Sequence, residues 1–356
     1  MIIDRYLASH IHRSTLMVLL TLVSLSLFFT LVQQIDNLGK GDFTGWRFVE
    51  YLLLRAPGSA VQFMPLATLI GSMLSLGALA ANSELIAMHA SGISLRRLAW
   101  SVSLAALVMA VLTLLVADYV TPWSETRARE IKSASLDRGG SLLSRRGLWV
   151  KEGDHVIFVG RLFPDGSARR VEIHRFDEKG RLKMALTARS AVARDQGWLL
   201  KSVRQSLFEE DRVIRKQYKE WYYRGGLSED LLSSLVIEPD QMSLFDLYGY
   251  LRFLRDNGID TAVESLAFWR KLYAPITILV MALLALPFVS GSQRQGNVGQ
   301  RLVTGILLGL VFVMLDKLLV QLGLQWRLPA FINAFLPTAL FLILMLWLMR
   351  RSERLQ

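Results

Sequence analysis

Cysteine is absent from the 356 residues. The chain therefore has no disulfide framework, no thiolate metal site and no cysteine nucleophile, although the absence says little about compartment. Histidine is scarce: His10, His12, His89, His155 and His174 are all there is, and no HExxH, GxSxG or acid–histidine cluster surrounds them. His10 and His12 read as solvated residues beside a membrane interface rather than a metal pair. The nearest approach to a phosphate loop, Gly291 to Asn297 with Gly296 in it, lacks the lysine that would reach a β- or γ-phosphate. The acids Glu209, Glu210 and Asp211 fall in a turn between strands. Hydrolase and oxidoreductase chemistry thus have no residues to carry them, and neither a cofactor nor a metal is expected.

Charge is missing over long intervals. None occurs in 14–35, 56–83, 98–117, 272–293 or 328–349, and a sixth interval, 302–322, is broken only by Asp316 and Lys317. A helix needs about 20 mostly apolar residues to cross the hydrocarbon core of a bilayer, so six spans are expected. The long hydrophilic segment 124–270 holds 26 of the 41 Lys/Arg and 22 of the 30 Asp/Glu, a net +4, leaving +7 elsewhere. Nucleic acid is not the partner this basic chain implies. The layout predicts spans one to three in 1–123, an inserted soluble domain in 124–242, a helical connector in 243–270 and spans four to six in 271–356. The first apolar run is too long for a cleaved signal peptide and no small-residue cleavage site follows it. With the N-terminus inside, the inner loops carry Arg5, Arg13, Arg96, Arg97, Arg294, Arg301, Arg350, Arg351 and Arg354, against Lys40, Arg47 and Arg327 outside. That bias fits the positive-inside rule and places the soluble domain outside the cytoplasm.

From Arg146 to Tyr223 the pattern has period two. Runs at 147–151, 155–159, 169–176, 181–193, 197–208 and 212–223 are separated by Gly/Asp turns. This predicts an antiparallel sandwich or jelly roll, whose inward side chains can line an apolar groove and whose edges can accept a strand. Ser243 with Asp246 forms a capping box, Leu244, Leu247, Leu251 and Leu254 mark the apolar face of the helix it starts, and Asn257-Gly258 ends that helix.

Three groups of residues are candidates for function. The inner loop Asn82–Gly92 reads as a short helix with Ser83 as N-cap and Gly92 as C-cap; it is either a docking element or an interfacial connector. Arg55, Asp118, Asp316 and Lys317 are charges in or near the spans. Arg55 and Asp118 lie close enough to the outer ends to reach headgroups, while Asp316-Lys317 lies deeper, after Gly305 and Gly309 in a GxxxG whose bland role is packing within the chain's own bundle. Arg127, Arg129 and Lys132 follow the third span and are spaced to share one helix face, suiting either the phosphates of an anionic lipid or ordinary headgroups.

Ile3-Asp4-Arg5-Tyr6, Ser83-Glu84-Leu85 with Ala90-Ser91-Gly92, and Gly139-Gly140-Ser141-Leu142-Leu143-Ser144 followed by Gly147-Leu148-Trp149 resemble the LptF/LptG permease family, its LptG branch more than its LptF branch. The resemblance covers essentially the whole chain. It implies a fold of six transmembrane helices with an extracytoplasmic antiparallel β-jelly roll, in the bacterial inner membrane with the β domain in the periplasm. It implies an LptF-like partner, an LptB-like ATPase dimer that does the hydrolysis, an LptC-like single-span protein and lipopolysaccharide as cargo, drawn from the surrounding membrane lipid. The inner-loop helix, with Ser83, Glu84, Leu85, Met88, His89 and Gly92, would couple to the ATPase, Glu84 meeting a basic residue. Arg129 and Lys132 look like members of the family's lipopolysaccharide-binding cluster, with Arg127 beside them. The first span would form a lateral gate with the partner's fifth. Lysines that some relatives carry at the exit of the first span are replaced here by Thr30, Gln33, Gln34, Asp36 and Asn37, leaving Lys40 as the nearest cation. A membrane sensor or a scaffold with an external β domain are the alternatives. A sensor needs a cytoplasmic output domain, for which the inner loops are short.

Overall fold

The computed structural model describes residues 2–35, 38–39, 43, 45–136, 148–152, 154–162, 167–177, 180–194, 197–208, 212–224, 239–256, 260–290 and 298–353. The expected features at Lys40, Gly139–Ser144, Gly147, Asn257-Gly258 and Gly291–Asn297 lie outside them, as does the side chain of His89.

Among the described residues, six helices are long and apolar enough to cross a membrane. In chain order the helices are α1 (Ile2–Gln34), α2 (Gly45–Ala81), the short α3 (Glu84–Ala90), α4 (Leu95–Leu115), α5 (Thr121–Leu136), α6 (Leu244–Asp256), α7 (Ala262–Ser290), α8 (Val298–Gln325) and α9 (Ala330–Glu353). Most run well past the charge-free intervals. Charge marks where hydrocarbon ends, whereas a helix satisfies its own backbone and continues into the headgroup layer. The third span does not stop at residue 123: α4 passes through a π-helical turn at Val116–Val120 straight into α5. Residues 262–270, read as connector, are the first turns of α7.

The bundle core joins α1, α2, α4, α7, α8 and α9 through Leu7, Leu69, Met73, Leu98, Met281, Phe312 and Phe341. Small residues set the closest approaches. A Cβ on Gly71 would stand 2.5 Å from the Thr15 Cα of α1, and one on Gly305 would stand 3.1 Å from Met73 Sδ; Gly309 faces Leu66. The GxxxG of α8 therefore packs on this chain's own α2. Burial is uneven. In α2, 61% of the membrane-crossing window is buried, against 11% in α1 and 17% in α8.

The inserted domain is one six-stranded antiparallel sheet in the order β1-β2-β3-β4-β5-β6, comprising Leu148–Glu152, His155–Leu162, Ser167–Phe176, Leu182–Arg194, Gly197–Phe208 and Val213–Arg224. Its apolar face is built from Ile157, Val159, Val171, Ile173, Leu186, Ala188, Leu200 and Val203. Strict alternation fails midway along the strands. Inward Ala168 and Val171 are separated by two exposed residues, Arg169 and Arg170; Ala188 and Ala191 flank Arg189-Ser190; Leu200 and Val203 flank Lys201-Ser202; Tyr218 and Trp221 flank Lys219-Glu220. Pairing lapses at the same level in the four ladders from β2 to β6, where Gly160, Arg170, Arg189, Ser202 and Lys219 would lie side by side. Arg170 and Ser202 adopt left-handed backbone, φ 57° and 55°. Two successive outward residues reverse the phase of a pleat, so the sheet is creased along this line and keeps apolar side chains on one face of both halves. Gly160 fits closely there: a Cβ would meet Arg170 Cβ at 3.1 Å and Arg170 O at 3.2 Å, so a larger residue would need the crease to give by a few tenths of an ångström.

Candidate functional site

At the end of the bundle remote from the β domain, α3 is a two-turn helix between α2 and α4. Ser83 precedes it with a left-handed backbone, φ 61°, and its carbonyl accepts the Ala87 N–H at 3.0 Å. Gly92, at φ 86°, closes it: the Ile93 N–H reaches the Met88 carbonyl at 3.1 Å, the 6→1 bond of a glycine-stopped helix. Leu85 is buried in the bundle core while Ile86 is 54% exposed. The helix is thus anchored on one face and open on the other. Glu84 is tied to the first span, since Tyr6 Oη donates to its Oε2 at 2.7 Å. Next to this contact, Arg97 donates to Asp4 Oδ2 at 2.7 Å and Ser101 Oγ donates to Asp4 Oδ1 at 2.7 Å. Tyr6 and Asp4 lie on the Ile3–Tyr6 string that marks the resemblance, so its physical role is to hold α1 to α3 and α4. His12 does not pair with His10; its Nε2 contacts the Ala105 carbonyl at 2.9 Å. No group of three potential metal-ligating residues occurs among the described residues.

At the end that leads into the β domain the three cations of α5 do not share a face. Residues two apart on an α-helix point in nearly opposite directions. Arg127 faces solvent and donates to Glu130 Oε2 at 2.9 Å. Arg129 and Lys132, three apart, turn toward the protein, Arg129 donating to Gln241 Oε1 and Lys132 standing 5.8 Å from the centre of the Tyr51 ring. Tyr51 belongs to an aromatic cluster with Phe43 and Phe48, ring centres 5.4–6.5 Å apart. Below it, Arg55 does not reach for headgroups. It donates to Glu125 Oε2 at 2.6 Å, and that carboxylate is 4% exposed. A buried charge without such a partner would be costly, so the pair pins α2 to α5. Along the same seam, Trp46, Val49, Leu53, Pro57 and Trp123 line an apolar cleft of about 290 Å³.

Asp118 also turns inward. On the π turn, it accepts the backbone N–H of Leu244 and so caps α6, together with the capping box in which Asp246 N donates to Ser243 Oγ at 3.1 Å. Asp316 pairs with neither headgroup nor Lys317: Arg270 of α7 donates to it at 2.7 Å. The neighbouring Lys271 donates to the Ala117 carbonyl at 3.3 Å and to the Met242 carbonyl. Sequence spacing did not reveal these partners, because each is more than 25 residues distant. Arg270 ends the expected connector and Lys271 opens the expected fourth span, and neither was singled out by the sequence.

Comparison with known proteins agrees with the architecture. The profile of the family described as lipopolysaccharide export system permease LptF/LptG matches residues 5–351. The chain is 34% identical to the lipopolysaccharide export system permease protein LptG of Haemophilus influenzae over 354 residues, 99% of each chain. It is also 34% identical to LptG of Escherichia coli K12 over 356 residues, again 99% of each. Identity to LptF of the same strain is 25% over 338 residues, 91% of this chain and 87% of that one. With six membrane-spanning helices, an inserted antiparallel β domain and full-length similarity that is stronger to LptG than to LptF, the chain belongs to the LptF/LptG family of lipopolysaccharide export permeases.

Proposed function

We propose that this chain is the LptG-type half of an inner-membrane machine that lifts lipopolysaccharide out of the outer leaflet and hands it to a periplasmic β-domain bridge. The observation that carries the reading is full-length 34% identity to LptG, joined to a bundle that leaves α1 and α8 largely uncovered. An LptF-like chain would cover those two faces, α1 lying against its fifth span, and an LptC-like single-span protein would receive the cargo. Extraction needs outside work, because each CH₂ of an acyl chain leaving hydrocarbon costs about 0.8 kcal/mol. No phosphate loop is present, so an LptB-like ATPase dimer supplies that work. Helix α3 is the coupling element: Leu85 anchors it, Gly92 stops it and the exposed Ile86 marks the side offered to the ATPase, with Ser83, Glu84, Met88 and His89 as the other coupling residues of this stretch.

Cargo phosphates would meet Arg129 and Lys132, with Arg127 and Lys40 further out, while the cleft between Trp46 and Trp123 offers acyl-compatible surface. Two experiments test this. Glu84→Arg should abolish lipopolysaccharide export or lower co-purification of the ATPase; full co-purification with normal export removes the coupling role. Arg129→Ala with Lys132→Ala should lower export at least several-fold while the complex still assembles, and equal loss of both would reassign these residues to structure.

A further inference from the structure

Arg270 and Lys271 are consecutive residues of α7, yet they serve opposite neighbours. Arg270 holds Asp316 of α8, a helix of which only 17% of the membrane-crossing window is buried within this chain. Lys271 holds the π turn of the third span through the Ala117 carbonyl, and the strap 239–244 through the Met242 carbonyl. That strap is the return path from the β domain to the bundle, and two further side chains grip it: Arg129 at Gln241 and Asp118 at the Leu244 N–H. A cavity of about 40 Å³ adjoins the grip, lined in part by Asp118, Leu244, Lys271 and Pro275. Charges at membrane depth are costly unless they pair or serve function, and π turns concentrate at functional positions.

We propose that Arg270–Lys271 is a transmission node: movement of α8 is relayed by Arg270 to α7, and by Lys271 to the π turn and the strap that carries the β domain. These are positioning residues, distinct from the cation pair assigned to cargo. Only the transport readout below rests on the export reading.

The test uses the full chain in its co-purified complex in nanodiscs. Because the chain has no cysteine, Val213→Cys on β6 and Trp326→Cys beyond α8 are its only labelling sites, and cysteines of the co-purified chains are replaced by serine so that they give the only spin-label pair. The parent should show a narrow distance distribution. Lys271→Met and Asp316→Asn should each at least double its width, the double variant should be no broader than the broader single, and Lys271→Arg should restore it. Lipopolysaccharide released per ATP should fall several-fold in the same variants with complex recovery unchanged. Unchanged widths in both singles, or additive broadening in the double, overturn the node. Loss of the complex in Lys271→Gln and Asp316→Asn alike also overturns it, leaving a fold clamp. A parent complex that releases no lipopolysaccharide sinks the export reading instead, while the label widths still report on the node.

Discussion

Single residues in this protein carry their weight through what they exclude. Gly71 lets the α1 backbone approach so closely that nothing but a hydrogen fits, and the atom it faces is main chain, which cannot rotate away. Gly71→Leu should therefore separate α1 from α2 and lower the thermal midpoint of the detergent-purified chain, at an overpacking cost of about 1–3 kcal/mol. Gly160→Val should do similar harm to the sheet, of the same order, because it meets Arg170 at the crease. A conservative change elsewhere on β2 gives the comparison. Arg55→Met removes the cation that donates to the Glu125 carboxylate, itself 4% exposed, and should lower stability by about 1–3 kcal/mol. The paired change Arg55→Met with Glu125→Leu should recover most of it. A double variant as unstable as Arg55→Met alone would show that the ion pair is not what matters. Among these residues the glycines were plain in the sequence but their neighbours were not. A glycine in an apolar run reads the same whether it faces lipid or a backbone 2.5 Å away.

Elements show a similar division. The strands were legible because period two survives over most of their length, and the turns were legible from Gly and Asp. The turn at Gly180, for example, carries φ 74° and returns its N–H to the Asp177 carbonyl at 2.9 Å. The crease was also written in the sequence, as four polar doublets each flanked by apolar residues. It goes unnoticed strand by strand, because only the register places the doublets at one level. At the other end of the sheet, Asp154 accepts from Arg175 Nε at 2.8 Å and lies 2.9 Å from His155 Nδ1. Arg175, with a smaller contribution from His155, holds the Asp154 carboxyl below the ordinary carboxylate range. A lowered acid contributes stability above its unfolded value and loses it as pH falls through the folded value. The β1–β2–β3 corner should thus hold at neutral pH and loosen only in acid below the ordinary carboxylate pKa. Hydrogen exchange at the Phe176 amide, which donates to the Asp154 carbonyl at 2.9 Å, would follow it. Arg175→Met should move the loosening to higher pH, and an unchanged profile would rule the pair out as its cause. For α3, the boundaries were readable from Ser83 and Gly92, but the left-handed backbone of Ser83 and the tether from Tyr6 to Glu84, which spans 78 residues, were not.

For the molecule as a whole, composition, charge-free intervals and period were enough to establish six spans around an inserted β domain. The physical reason is that hydrocarbon tolerates no unpaired charge and a pleated strand has two faces, so both constraints act locally and leave a one-dimensional record. What only the tertiary structure decided is which charges meet. The sequence left Arg55 and Asp118 free to reach headgroups, Asp316 open to pairing with Lys317, and the three cations of α5 on one face. Folding instead placed Arg55 on Glu125, Asp118 on the α6 N-terminus, Asp316 on Arg270, and Arg127 away from Arg129 and Lys132. Spacing along the chain cannot foresee such partners, because at membrane depth a charge is satisfied by whichever opposite charge or backbone group the packing of distant helices brings within reach. The number of spans follows from local hydropathy, while the wiring between them follows from helix packing, which is a property of the assembled bundle.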